Sequence, residues 1–163
     1  VPKGSFYHYF KSKELFGQAL LEDYFTDYLA QLDTLLQTPG LSGRDRLLRY
    51  FEQWRTTQAD DCSEQKCLVV KLSAEVSDLS EAMRLTLRDG TERVIARLAQ
   101  CVADGVEDGS LTAVEPLATA RTLYSLWLGA SLLAKLHARD RAQLVIAAYQ
   151  RGLVRAVPAP DDR

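Results

Sequence analysis

Between Ser12 and Val154 apolar side chains return every three or four residues, and nowhere do they alternate with polar ones between turn signals. That pattern excludes a sheet and leaves an all-α fold. Its clearest stretch carries Leu15, Phe16, Ala19, Leu20, Phe25, Tyr28, Leu29, Leu32 and Leu36 behind Ser12, a good N-cap, and Thr38, Pro39 and Gly40 stop it. Ser42 is the expected cap of a second helix with Leu47, Leu48, Phe51 and Trp54 on one face, fading into the polar run 56–66. Leu68, Val69, Leu72 and Val76 predict a third. Ser80 opens a longer one through Met83, Leu87, Val94, Ile95, Leu98 and Val102, in which Gly90 marks a kink or a close approach. After the polar connection 105–112, Glu115-Pro116 starts a helix over 117–137 that carries no charge from Leu123 to Ala134, so it should be buried on more than one face. Residues 139–154 give a last amphipathic helix.

A chain of 163 residues, 47% hydrophobic and 26% charged, is large enough for a core without staples and is typical neither of a disordered nor of a membrane protein. A net charge of -2 excludes a uniformly basic nucleic-acid coat. Three cysteines, an odd number, and no secretory pattern point to reduced thiols in the cytoplasm. No Ser-His-Asp order, paired-acid spacing, H-E-x-x-H, P-loop or dinucleotide fingerprint occurs, so nothing supports an enzyme, a metal or a cofactor.

Charge is uneven. Residues 1–13 hold Lys3, Lys11 and Lys13 and no acid, leaving 17 basic and 22 acidic side chains in the rest. Within this end Ser5, Tyr7 and His8, which can hydrogen-bond bases or phosphates, interleave with apolar Phe6 and Phe10. On charge alone the segment reads as a solvated terminus.

The stretch VPKGSFYHYFKSKELFGQALLE resembles the recognition helix and following helix of the TetR family of bacterial transcription regulators, with its pattern G-x-x-K-G-S-hydrophobic-Y-x-Y-F-x-S-K-E. The resemblance implies that Lys3, Ser5, Tyr7 and His8 face DNA, that Phe6 and Phe10 pack inward, and that Lys13 sits on phosphate. It also implies two further helices ahead of Val1, so the intact protein is the expected DNA binder. The remaining residues resemble the family's helical ligand-binding and dimerisation domain. KCLVVKLSAEVSDLSEAMR and LYSLWLGASLLAKL resemble its NemR branch, which responds to electrophiles and oxidants through a cysteine.

Cys67 falls where helical periodicity resumes, so a first-turn position, with Lys66 adjacent and Lys71 one turn on, would favour its thiolate. Read from the residues alone it is a small buried hydrophobe beside Leu68 and Val69; the resemblance assigns it the sensing role. Cys62 is a resolving thiol or a bystander, and Cys101 within LAQCVADG is most simply core. Lys135 either snorkels from its helix end or, if buried, offers a nucleophilic amine to an oxidised sulfur. Tyr50, Trp54, Tyr124 and Trp127 are core residues by position; the resemblance implies a pocket among them.

These readings define a TetR-like chain with a remnant of the helix-turn-helix over 1–11, a regulatory and dimerisation domain over 12–157 and a tail over 158–163. The expected function is an operator-binding repressor, a homodimer through its last two helices, released when an electrophile or oxidant modifies Cys67. The alternatives are a repressor sensing a small apolar ligand in the pocket and a helical interaction module without DNA. No membrane partner is expected.

Overall fold

The computed structural model is described over residues 12–59 and 80–137, with Val69 and Val76 between them; the side chains of 57–59 and 134–137 lie outside that description. These residues form four α-helices: α1 (Lys13–Leu36), α2 (Gly43–Ala59), α3 (Glu81–Glu107) and α4 (Pro116–His137). The all-α class read from periodicity holds. Of the helices expected over 68–76 and 139–154, only Val69 and Val76 are described, and both are helical and buried.

Each start has a local cause. The Ser12 hydroxyl accepts from the Leu15 N–H at 3.2 Å and the Ser80 hydroxyl from the Met83 N–H at 3.4 Å, each satisfying a donor that the first helical turn leaves over. Ser42 accepts from the Asp45 N–H at 3.2 Å while donating to the Asp45 carboxylate at 2.8 Å. At α4 the Glu115 carboxylate accepts from the N–H groups of Leu117 and Ala118, and Pro116 supplies a residue that needs no partner there. Gly40 and Gly109 take φ of 78° and 75° in the turns after α1 and α3, a backbone that glycine adopts without strain.

α1 and α3 run side by side in the same direction and in nearly constant register. Met83 lies over Gly17, Phe25 packs on Gly90, and Arg97 donates to both oxygens of Asp33 at 2.6 and 3.1 Å. A Cβ at Gly90 would stand 2.3 Å from the Phe25 ring, so the close approach expected at this glycine is real. Leu21, Phe25, Leu29 and Leu32 of α1 meet Val94, Leu98 and Val102 of α3 in one core, which α2 and α4 complete with Phe51 and Trp127. Burying each such side chain stabilises the fold by roughly 1.5 to 3 kcal/mol before entropy is counted.

α4 is buried on one side and open on the other. Ala120, Leu123, Tyr124, Trp127 and Ser131 are buried, but within a single chain the other side stays open: Leu132 and Leu133 are each 53% exposed, and Leu126 and Leu117 are exposed as well. Periodicity cannot say whether an apolar face meets its own chain or another. No helix among the described residues is long and apolar enough to cross a membrane.

Candidate functional site

Three of the four aromatic candidates come together beside the middle of α2. Its sequence puts Tyr50, Phe51 and Trp54 within little more than one turn, and α4 brings Trp127 against them. Trp127 meets Trp54 edge-on at 4.3 Å between ring centroids and Phe51 at 5.0 Å, and Phe51 meets Tyr50 edge-on at 5.0 Å. Tyr124, one turn before Trp127, is buried as well. Such edge contacts add about 0.5 to 1.5 kcal/mol each beyond area burial.

Trp127 is 1% exposed, yet its indole N–H has no acceptor among the described residues. A buried donor left without a partner costs roughly 1 to 3 kcal/mol, and native proteins hold few of them. A molecule offering a carbonyl or other acceptor to Nε1 would recover that cost.

The cluster is wired to α1. The hydroxyls of Tyr50 and Tyr28 lie 2.9 Å apart, and Tyr28 stacks on Tyr24 at 5.8 Å with the rings 14° from parallel. Displacement of Trp127 thus has a continuous route through Phe51, Tyr50 and Tyr28 to the helix that follows residues 1–11. The sequence reading placed Tyr28 only in an apolar stripe, and helical spacing carries no signal for a hydroxyl pair between helices.

The start of α2 is held differently. Gly43 lies so close to α3 that a Cβ there would come within 2.4 Å of the Gly105 backbone and 2.8 Å of the Cys101 carbonyl oxygen. The Gly43 N–H donates to the Asp108 carboxylate at 2.7 Å and the Arg44 N–H to the Ser110 hydroxyl at 3.1 Å, so the turn after α3 caps the start of α2. Hydrogen bonds from Ser110 and the Gly43 N–H hold the Asp108 carboxyl below the usual range. Arg46 donates to the Leu36 carbonyl at 2.7 Å and pairs with Asp104 at 3.1 Å, tying α1, α2 and α3 at one point.

Cys101 belongs to this held end. It is buried, and its thiol donates to the Gly43 carbonyl at 3.4 Å. Burial pushes its pKa up to about 11, with Asp104 and Asp108 adding to the effect and Arg46 opposing it. At neutral pH it is a protonated, shielded and unreactive thiol.

The remaining candidates fall as follows. Lys13 is exposed at the first position of α1, beside the Ser12 cap, where free N–H groups and a cation can share one anion. Lys3, Ser5, Tyr7, His8, Cys62 and Cys67 lie outside the described residues. Lys135 is within α4, and its side chain is outside the description. Among the described residues no group of three His, Cys, Asp or Glu side chains could hold a metal ion.

Residues 43–149 match the family described as tetracyclin repressor-like, C-terminal domain. The chain is 50% identical over 137 residues to the HTH-type transcriptional repressor NemR of Escherichia coli K12, spanning 83% of this chain and 69% of that protein. It is 33% identical over 145 residues to the HTH-type transcriptional repressor DhaR of a Mycobacterium species, spanning 88% of this chain and 71% of that protein. The crystal structure of the reduced form of E. coli NemR superposes with a TM-score of 0.85 at 44% identity, over 100% of this chain and 83% of the other. The chain belongs to the TetR family of transcription regulators and resembles its NemR branch; it is a regulator and not an enzyme.

Proposed function

We propose that the intact protein is an operator-binding repressor released by chemical modification of Cys67. The observation that carries the reading is the match to a NemR structure distinguished as a reduced form, a distinction that implies a redox-active side chain in that relative. Of the three cysteines, Cys101 is buried with a raised pKa, which leaves the sensing role to a thiol in the segment before Val69. Val69, two residues after Cys67, is helical and packed in the core. A change at Cys67 would therefore bear on the same core as Trp127 and Tyr50.

In this reading Lys3, Ser5, Tyr7 and His8 contact the operator and Lys13 a phosphate. The open face of α4 around Leu126, Leu132 and Leu133 meets its copy, together with residues 139–155, in a homodimer. Lys135 takes part in the switch: an oxidant converts Cys67 to a sulfenic acid, the neutral Lys135 amine attacks sulfur, water leaves, and a reversible nitrogen-sulfur bond closes. The domain limits 1–11, 12–157 and 158–163 follow the same assignment.

The test treats the intact protein with a quinone or hypochlorite and locates the adduct by mass spectrometry. Modification at Cys67, with operator release that Cys67→Ser abolishes and Cys101→Ser preserves, is the expected result. Lys135→Met should blunt the response to oxidant while leaving alkylation of Cys67. In a mobility shift Lys13→Ala should weaken binding to all DNA and Tyr7→Ala chiefly to the operator. The unpartnered Trp127 N–H favours a second reading, a non-covalent ligand with a carbonyl held in the aromatic cluster. An equal response in the Cys67→Ser protein would select it.

A further inference from the structure

We propose that Met83 is an oxidation site of this protein, and that converting its thioether to the sulfoxide frees the first turns of α1 from α3. Met83 is the only methionine in the chain. It stands at the start of α3, is partly buried, and its Cε and Sδ fill the place a side chain would occupy on Gly17 of α1: a Cβ there would be 2.6 and 2.7 Å from them. Partial exposure leaves it within reach of an oxidant.

The consequence follows from the register of the two helices. Beside their shared core, α1 and α3 are matched in register at Gly17 with Met83, at Phe25 with Gly90 and at Asp33 with Arg97. The second is ring against backbone and the third a two-hydrogen-bond ion pair. Only the first rests on a flexible, oxidisable group. Hypochlorous acid transfers oxygen to the sulfur, R–S–CH3 becoming R–S(O)–CH3 as HOCl is reduced to chloride with release of a proton; a peroxide gives water instead. The sulfoxide is larger and strongly polar, and the seat on Gly17 was filled by an apolar thioether. α1 would then part from α3 at this end while Phe25 and Asp33 keep the rest in place, so the movement is delivered to the end of α1 that adjoins residues 1–11.

The site lies apart from the buried thiol of α3. Cys101 lies 18 residues further along α3, about 27 Å by helix rise. It depends on the repressor reading only for its effect on DNA; the local chemistry stands without it.

The experiment treats the full chain with a small excess of hypochlorite, then with dithiothreitol, which returns disulfides and sulfenic acids to thiols but leaves a sulfoxide. Peptide mass spectrometry should then place one added oxygen on Met83, and hydrogen exchange of the amides in residues 14–21 should be faster by about tenfold, with residues 25–36 unchanged. Methionine sulfoxide reductase should restore the slow exchange. Met83→Leu, which keeps the volume without the sulfur, should hold slow exchange through the same treatment. Unmodified Met83 at a dose that oxidises free methionine, or a sulfoxide at Met83 with exchange over 14–21 unchanged, would overturn the proposal. If Met83→Leu loosens α1 before any oxidant is added, the reductase reversal in the parent protein decides, and fast exchange persisting after repair would also overturn it.

Discussion

The two halves of α2 are built on opposite principles. At its start, backbone lies against backbone at Gly43 and Gly105, and the side chains of Asp108 and Ser110 answer the free N–H groups. From its midpoint onward, Phe51 and Trp54 meet Trp127 ring against ring, and the indole N–H there has no acceptor among the described residues. Backbone contacts and directed hydrogen bonds define a position to a fraction of an ångström, whereas apolar ring contacts tolerate sliding and repacking. α2 thus has a fixed half and an adjustable one. A signal arriving at Trp127 finds the adjustable half and, through Tyr50 and Tyr28, the middle of α1.

The sharpest way to break this contrast is to add one carbon in the fixed half. Gly43→Ala would force its Cβ against the Gly105 backbone, which has no rotamer to change, and should cost about 3 kcal/mol in urea unfolding, the upper part of the range for overpacking. An unchanged midpoint would show that the two helices can separate freely. Against the adjustable half Trp127→Phe removes more atoms but also the unanswered donor, so a loss of only about 1 to 2 kcal/mol is expected. If it costs more than Gly43→Ala, the ordering of the two halves is reversed.

The wiring between them is sharpened by Tyr28→Phe, Tyr50→Phe and the double variant. A coupling of roughly 0.5 to 1.5 kcal/mol is expected for a single shared hydrogen bond, and strict additivity would mean that the hydroxyls ignore one another. The smallest effect at neutral pH is that of the Cys101 thiol. Because its folded pKa is raised from 9.0 to about 11, its contribution to stability is complete below pH 9 and lost as pH rises through 11. Maleimide labelling of Cys101 in the folded protein should therefore stay slow at pH 7 and accelerate toward pH 11. Rapid labelling at pH 7 would mean that the held end opens.

Much of this was written locally. Ser12, Ser42 and Ser80 cap helices because a hydroxyl one residue before an apolar repeat can reach an N–H two or three positions on, and Glu115-Pro116 starts α4 for the same short-range reason. The recognition motif in residues 1–14 and the two NemR-like stretches pointed to the family, which the comparisons then showed. The fold class and the close approach at Gly90 were legible too, since both follow from composition along one helix.

What joins residues far apart in the chain had no local sign. That Tyr28 meets Tyr50, that Asp108 caps Gly43, that Met83 seats on Gly17 and that Trp127 gains the rings of Phe51 and Trp54 but no acceptor among the described residues depend on which helix faces which, and at what register. A periodic stripe states that a face is buried; it does not state against what. The open face of α4 makes the same point, for Leu132 and Leu133 satisfy the helical pattern yet stay about half exposed. Sequence determined the helices and the family, because capping and periodicity act over a few residues. The tertiary structure decided which half of α2 is fixed and which can move, because packing is a property of pairs of surfaces.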